Sequence, residues 1–438
     1  MSKAGTSADG PQGWAHFATS AHKHMDSRRE DLEAANAHAP QTQETQNCRR
    51  SRHDLRLVLH FDINKTILKS DKAQGSNLDA VLNSLLADRA WGRVDAGPHW
   101  RPVGRLSIDK PANDPELMTY STYVDKYLSP DAAASVQEAA ERSSLMKQQR
   151  RHQKRTFTES NEPGEMFRGV YDHLKQALML PPEVAATTQG MPLFEGGRRH
   201  ILTSFFNLLL HLNKQEEQCM VVFRTFGVDI PEVAGEMDLF ASGKHPCYPE
   251  VCMDRRNGSM DMRISDPESF GVFSRVSGKP HGSRLLLGAP QLVGCKDISK
   301  AQFSSAADKA ALAAPSSFTS IHSTLMKLLD DEKSALALRD CYEYWSACGE
   351  CSSAGKLLLL DPDDSSTLQI FFDDNIEVSD AHIVDVRDVT SGDSIAFEDA
   401  IGRHLRKVDP LQAILDPLYY VRAVHDCMRV FRSVKDVS

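Results

Sequence analysis

Three aspartates and one threonine stand at the ends of apolar segments that are far apart in the sequence. They are Asp62, Thr225, Asp373 and Asp374. Carboxylates that meet at one point repel one another unless a cation lies between them, and oxygen ligands suit a hard cation such as Mg²⁺. These residue types therefore indicate a magnesium site, provided that the fold brings the segments together.

The apolar segments that carry these residues are rich in β-branched and aromatic side chains, as buried parallel strands are. The segments are Leu55–Asp62, Cys219–Thr225 and Leu368–Asp374. A helix over Ile201–Leu212, starting near Thr203 or Ser204, precedes the second strand. Helix followed by buried strand predicts an α/β fold with a mostly parallel sheet. Ligands bind such sheets outside the carboxyl ends of the strands, so the polar residues converge if the strands are neighbours.

Three short motifs resemble those of the haloacid dehalogenase superfamily. The run His60–Ile67 (HFDINKTI) resembles the first motif, an apolar strand followed by Asp-x-Asp-x-Thr. Val221–Thr225 (VVFRT) resembles the second motif, and Ile370–Asn375 (IFFDDN) resembles the fourth in its paired-aspartate form. The resemblance implies a three-layer α/β sandwich of Rossmann-like type, with a mostly parallel sheet and two cap-like insertions.

The resemblance also implies a role for each matched residue. Asp62 would be the nucleophile that forms an aspartyl-phosphate, and Thr225 would donate a hydrogen bond to a phosphate oxygen. Asp373 and Asp374 would hold Mg²⁺ together with Asp62 and the backbone carbonyl of Asn64. These roles would make the chain a magnesium-dependent phosphohydrolase or phosphotransferase.

The third motif of the superfamily is a lysine that contacts the nucleophile and the phosphate. Lys356 lies a modest distance before the aspartate pair and is the preferred candidate, with a solvated lysine as the alternative. Lys300 and Lys333 are poorer candidates, because their sequence surroundings resemble exposed helix.

Asn64 stands where most phosphatases of the superfamily have a second, proton-transferring aspartate. An amide cannot transfer a proton in that way, so ordinary phosphate monoesters are expected to react slowly. His60 could substitute, or it could be a buried, hydrogen-bonded histidine. The alternative function is a weak or inactive relative that keeps the phosphate and Mg²⁺ site for binding or for protein interaction. The expected partner is a small phosphorylated substrate or a phosphoprotein, with a protein partner possible through the insertions.

The pattern divides the chain into a core and inserted segments. The predicted parts are a disordered tail over 1–50, a core over 51–72, 200–235 and 315–438, a mainly helical or irregular first insertion over 73–199, and a β-rich second insertion over 236–314. The first insertion has a helical opening near Leu78–Leu86, a loop around Trp91–Pro102 and a basic run, Lys147–Arg155. The basic run is interpreted as a solvated helix face or linker, with a nuclear-import or phosphate-contacting role as the alternative. Helices are expected again from Pro410 onward.

Composition narrows the class of partner and the compartment. The 438 residues include 51 basic and 60 acidic ones, so the net charge of -9 disfavours a general nucleic-acid binder. The first fifty residues hold no sustained apolar run, so neither a signal peptide nor a membrane anchor is expected there. Nine cysteines without a secretion signal indicate reduced thiols in the cytoplasm. Cys348 and Cys351 could form half of a zinc or redox site, although no matching second pair is present.

Overall fold

The computed structural model describes most of the chain in two compact units. The described residues are 55–68, 78–97, 99–111, 114–128, 136–275, 283–288, 290–293 and 315–435. One unit holds the described residues between 86 and 169, and the other holds those of 55–85 and 170–435. The predicted tail over 1–50 and the candidate Lys300 lie outside the described residues.

The larger unit is built on a seven-stranded sheet. Its strands are β1 (Arg56–Asp62), β5 (Cys219–Thr225), β6 (Phe270–Arg275), β7 (Ser283–Leu287), β8 (Ala335–Arg339), β10 (Thr367–Asp373) and β12 (Leu405–Lys407). The spatial order is β12-β10-β1-β5-β8-β6-β7. Every neighbouring pair is parallel except β6 and β7. The prediction of a mixed α/β fold with a mostly parallel sheet is confirmed.

The other strands form two smaller sheets. A parallel pair in the larger unit consists of β9 (Lys356–Leu360) and β11 (Val384–Asp388). The smaller unit contains an antiparallel sheet in the order β3-β2-β4, made of β2 (Ala90–Val94), β3 (Trp100–Leu106) and β4 (Met118–Thr119).

The described residues also form helices. In chain order they are α1 (Leu78–Arg89), α2 (Tyr120–Tyr127), α3 (Val136–Arg155), α4 (Arg168–Ala177), α5 (Pro182–Thr187), α6 (Thr203–Lys214), α7 (Ile230–Ala241), α8 (Pro290–Val293), α9 (Phe318–Asp330), α10 (Tyr342–Ala347), α11 (Phe397–Ala400), α12 (Pro410–Leu415) and α13 (Tyr419–Lys435). The described helices include none with the combined length and apolar character that a bilayer crossing requires.

The core strands lie where their residue pattern predicts them. The central strands β1, β5 and β10 are almost entirely buried, which explains why they are continuous apolar runs rather than alternating ones. β10 and β5 pair with opposite edges of β1, so the three predicted strands are neighbours. Helix α6 begins at Thr203, one of the two predicted start residues.

The predicted loop around Trp91–Pro102 is wrong, because most of it is strand. Trp91 lies in β2 and Pro102 in β3, which has an unpaired edge. Proline is tolerated there because an edge strand does not need every backbone N–H. A Cβ atom on Gly92 would lie 2.3 Å from the indole of Trp100, so the glycine makes room for this ring. The glycine and proline that predicted a loop are thus accommodated by sheet packing.

Parts of both predicted insertions lie in the larger unit. Residues 170–199 belong to the same compact unit as the main sheet, and not to the unit that holds 86–169. Strand β6, from the predicted second insertion, pairs with β8 and extends the main sheet. Gly271 permits this pairing, because a Cβ atom there would lie 2.7 Å from Leu338. The basic run lies at the end of α3, where Lys147 and Arg151 are exposed.

Candidate functional site

Three aspartates converge at the carboxyl ends of β1 and β10. Asp62 is the last residue of β1, Asp373 is the last residue of β10, and Asp374 follows it. One carboxylate oxygen from each lies within 4.8 Å of the others, and Asp62 and Asp373 are buried. In the described part of the chain, this cluster is one that could hold a metal ion.

Lys356 is the lysine at this cluster. It begins β9 and is buried, and its Nζ donates hydrogen bonds to Asp62 Oδ1 at 2.5 Å and to Asp373 Oδ2 at 2.7 Å. The ring of Phe226 lies 5.1 Å from the same Nζ. Lys333 instead pairs with the exposed carboxylate of Asp266 at 3.2 Å.

The carboxylates of the cluster and Lys356 shift one another's pKa values. Burial raises the pKa of Asp62 well above its ordinary value; Lys356 opposes this shift, whereas Asp373 and Asp374 add to it. Burial alone would lower the pKa of Lys356, but Asp373 and Asp62 together raise it. Asp62, Asp373 and Asp374 each offer one carboxylate oxygen within 4.8 Å of the others. Clustered carboxylate oxygens are the ligands that a hard divalent cation prefers, so the donor set fits such an ion.

Thr225 lies at the same edge of the sheet. It is the last residue of β5 and is buried, and its Oγ1 accepts a hydrogen bond from the backbone N–H of Gly227 at 2.8 Å. A Cβ atom on Gly227 would lie 2.5 Å from Asp229 Oδ2, 3.2 Å from Thr225 Oγ1 and 3.4 Å from Asn64 Nδ2. Three polar side chains therefore crowd around this glycine, and a larger residue there would displace them.

Asn64 contacts an acidic residue that the sequence did not single out. Its Nδ2 donates a hydrogen bond to Oδ2 of Asp229, a residue with 2% exposure, at 2.9 Å. Asp229 immediately precedes Ile230 and Pro231, a pattern that reads as an ordinary helix start. The sequence around Asp229 therefore indicated only a helix start, and its contact with Asn64 is visible only in the structure.

His60 is the buried, hydrogen-bonded histidine of the second alternative. Its Nε2 lies 3.3 Å from Gln369 Oε1, its Nδ1 lies 3.3 Å from a guanidinium nitrogen of Arg224, and its ring stacks on Phe371. Burial, followed by the charge of Arg224, lowers its pKa to about 3, although Gln369 opposes the shift. A neutral imidazole lacks the acidic imidazolium proton, so His60 is a poor general acid at neutral pH.

Sequence analysis also did not identify a buried ion pair that involves Arg224, the residue before Thr225. Arg224 is fully buried in β5 and makes a bidentate contact with Asp340, with Nε–Oδ2 at 2.9 Å and Nη2–Oδ1 at 2.6 Å. Its Nη1 donates to the carbonyl oxygen of Leu357 at 3.0 Å, one residue after Lys356. The pair thus connects the strands that carry Thr225 and the site lysine.

Cys348 and Cys351, which suggested half of a zinc or redox site, are exposed free thiols in the structure.

Comparisons of the chain with protein-family models, with curated proteins and with solved structures found no match.

Proposed function

We propose that this chain is a haloacid-dehalogenase-like, Mg²⁺-dependent phosphohydrolase or phosphotransferase that acts through an aspartyl-phosphate on Asp62. The observation that carries the proposal is the ammonium of Lys356, held between Asp62 and Asp373 with Asp374 in the same cluster. A carboxylate nucleophile, a bridging lysine and a second pair of carboxylates are the groups needed to bring an anionic nucleophile up to an anionic phosphate.

Each side chain has a distinct task in this proposal. The carboxylate of Asp62 attacks phosphorus, and the leaving group departs from the opposite side. Thr225 donates its hydroxyl hydrogen to one phosphate oxygen, and Lys356 orients Asp62 and offsets its charge. Asp62, Asp373, Asp374 and the backbone carbonyl of Asn64 would hold Mg²⁺, which supplies charge neutralisation between carboxylate and phosphate when bound.

Asn64 sets the class of substrate that reacts well. General acid–base assistance contributes about 10²–10⁴-fold in rate, and an amide cannot provide it. Leaving groups that depart without a proton, such as the carboxylate of an acyl phosphate, should therefore react faster than ordinary monoesters. The substrate would be a small phosphorylated compound or a phosphoprotein whose leaving group departs without a proton.

A second candidate function is a weak or inactive relative that binds phosphate and Mg²⁺ without turnover. The observation that favours it is the same Asn64, whose amide is engaged by Asp229. In this case the site would bind phosphate and Mg²⁺ without reaction, or it would support a protein interaction made by the inserted segments.

The phosphoenzyme itself tests the first proposal. With Mg²⁺ and acetyl phosphate, we expect a covalent phosphate on the peptide that contains Asp62, detected by mass spectrometry and removed by hydroxylamine. Chelation of the metal with EDTA should prevent the adduct, because an uncompensated phosphate is repelled by the carboxylates. Failure to find either an adduct or phosphate release, from both acetyl phosphate and para-nitrophenyl phosphate, would exclude the enzymatic function.

Thermal melting distinguishes binding from catalysis. Beryllium fluoride mimics the phosphoryl group on an aspartate, and a ligand that binds only the folded state stabilises it by linkage. With Mg²⁺ present, beryllium fluoride at about 100 times its Kd should stabilise the protein by about 2.7 kcal/mol, and Asp62→Asn should lose the response. An unchanged melting temperature of the wild-type protein with Mg²⁺ and beryllium fluoride would mean that the site binds neither of them. That result would contradict both candidate functions.

A further inference from the structure

Asp229 fixes the orientation of the Asn64 amide. Oδ2 of Asp229 accepts a hydrogen bond from Asn64, so Nδ2 and not Oδ1 of Asn64 faces the carboxyl group. The Nδ2–Oδ2 distance of 2.9 Å is that of an ordinary hydrogen bond. Because Asp229 is almost completely buried, water competes little for this contact. Asn64 is therefore held in one of its two amide orientations.

This orientation leaves the other end of the amide with an unmet acceptor. Oδ1 of Asn64 is buried, and no hydrogen bond from the described residues reaches it. Burying an acceptor in this state is unfavourable, and such groups in native proteins call for an explanation. A hydrogen-bond donor brought by the reaction would provide one.

The position of Asn64 relates the unmet acceptor to the proposed chemistry. Asn64 follows Asp62 by two residues, and its amide and the hydroxyl of Thr225 both border Gly227. The amide therefore lies beside the threonine that would bind phosphate, two residues after the nucleophile. Under the proposed function, the phosphoryl group and the water that attacks it would be held at this same edge of the sheet.

We propose that Asp229 is a positioning residue, which holds Asn64 so that Oδ1 accepts a hydrogen bond from the water that hydrolyses the aspartyl-phosphate. The inference rests on the proposed function. The water oxygen forms a bond to phosphorus, the bond between phosphorus and the Asp62 oxygen breaks, and the water proton goes to the released phosphate. Asn64 orients the water and takes no proton, so hydrolysis proceeds without a general base at this position.

The test separates the two steps of the reaction in Asp229→Ala. After reaction with acetyl phosphate and Mg²⁺ and removal of the donor, phosphoenzyme decay should be about tenfold slower than in the wild type. The amount of phosphoenzyme at steady state should rise, because the slowing is expected in the second step. Asn64→Ala should slow the decay by a similar factor. Asp229→Asn, which keeps an acceptor oxygen, should recover most of the loss.

A double-mutant cycle makes the dependence on Asn64 explicit. If Asp229 acts through Asn64, Asp229→Ala should slow decay little further when Asn64 is already alanine. The matched control is Asp238→Ala, which removes a half-buried aspartate of α7 whose Oδ1 accepts a hydrogen bond from the N–H of Ile264 at 2.8 Å. This control should lower thermal stability without changing the decay rate.

Three results would overturn the inference, and one of them also removes the proposed function. Additive slowing in the double variant would show that Asp229 does not act through Asn64. Unchanged decay in Asn64→Ala would reject the role of Oδ1, even if Asp229→Ala failed to fold. Absence of any phosphoenzyme in the wild type would reject the proposed function together with the inference, whereas the first two results leave the phosphoenzyme intact.

Discussion

Asp62→Asn is expected to lower the rate of phosphate release from acetyl phosphate by at least about 10³-fold, because the amide has no lone pair with the nucleophilicity of a carboxylate. The fold should persist, since the amide oxygen can still accept the hydrogen bond from Lys356 and Lys356 also contacts Asp373. Steady-state phosphate release with Mg²⁺ measures the effect, and thermal melting checks the fold.

The matched control for this variant is Asp363→Asn, which makes the same chemical change at an exposed position after β9. It should leave phosphate release unchanged. Equal release from wild type and Asp62→Asn would show that the phosphate came from another source, such as a contaminating phosphatase, and would remove Asp62 from the mechanism.

Arg224→Met is expected to destabilise the protein by about 3–5 kcal/mol. The variant leaves Asp340 buried with 3% exposure and without the guanidinium that accompanies it, and an uncompensated buried charge is strongly unfavourable. The hydrogen bond to the Leu357 carbonyl and the stacking on Phe371 are lost as well. Urea unfolding, compared at equal protein concentration, measures the change.

Two further variants make the interpretation of Arg224→Met specific. Arg256→Met removes an arginine of 65% side-chain exposure that pairs with Asp254, and it should change stability by no more than about 1 kcal/mol. Arg224→Met combined with Asp340→Leu should recover much of the loss, because both charges leave the interior together. A loss for Arg224→Met no larger than that for Arg256→Met would contradict the prediction.

The central strands could be predicted because their chemistry is local. Strands buried on both faces need continuous apolar runs, so β1, β5 and β10 stand out from their surroundings. Their final polar residues mark the edge of the sheet where the carboxylates meet. Lys356 could be selected as a candidate by its place before β10. Its actual contacts with Asp62 and Asp373 depend on the fold and could be read only from the structure.

The parts that the sequence did not reveal depend on contacts between distant residues. Asp229 resembles a helix start until Asn64, 165 residues away, is seen to contact it. Arg224 interrupts an apolar strand, and only its pairing with Asp340 across 116 residues explains why it is tolerated. The strands around Trp91 and Trp100 were hidden because glycine and proline serve packing there instead of a loop.

The site joins residues that the ribosome adds at widely separated times. Lys356 lies 294 positions after Asp62, an interval of roughly 15 to 60 seconds at 5–20 residues per second. During that interval β1 emerges without β5 and then without β10, the strands that pair with its two edges. A nascent chain therefore exposes an apolar, unpaired strand that favours association with other chains or with chaperones. The cluster of Asp62, Lys356 and Asp373 can form only near the end of translation.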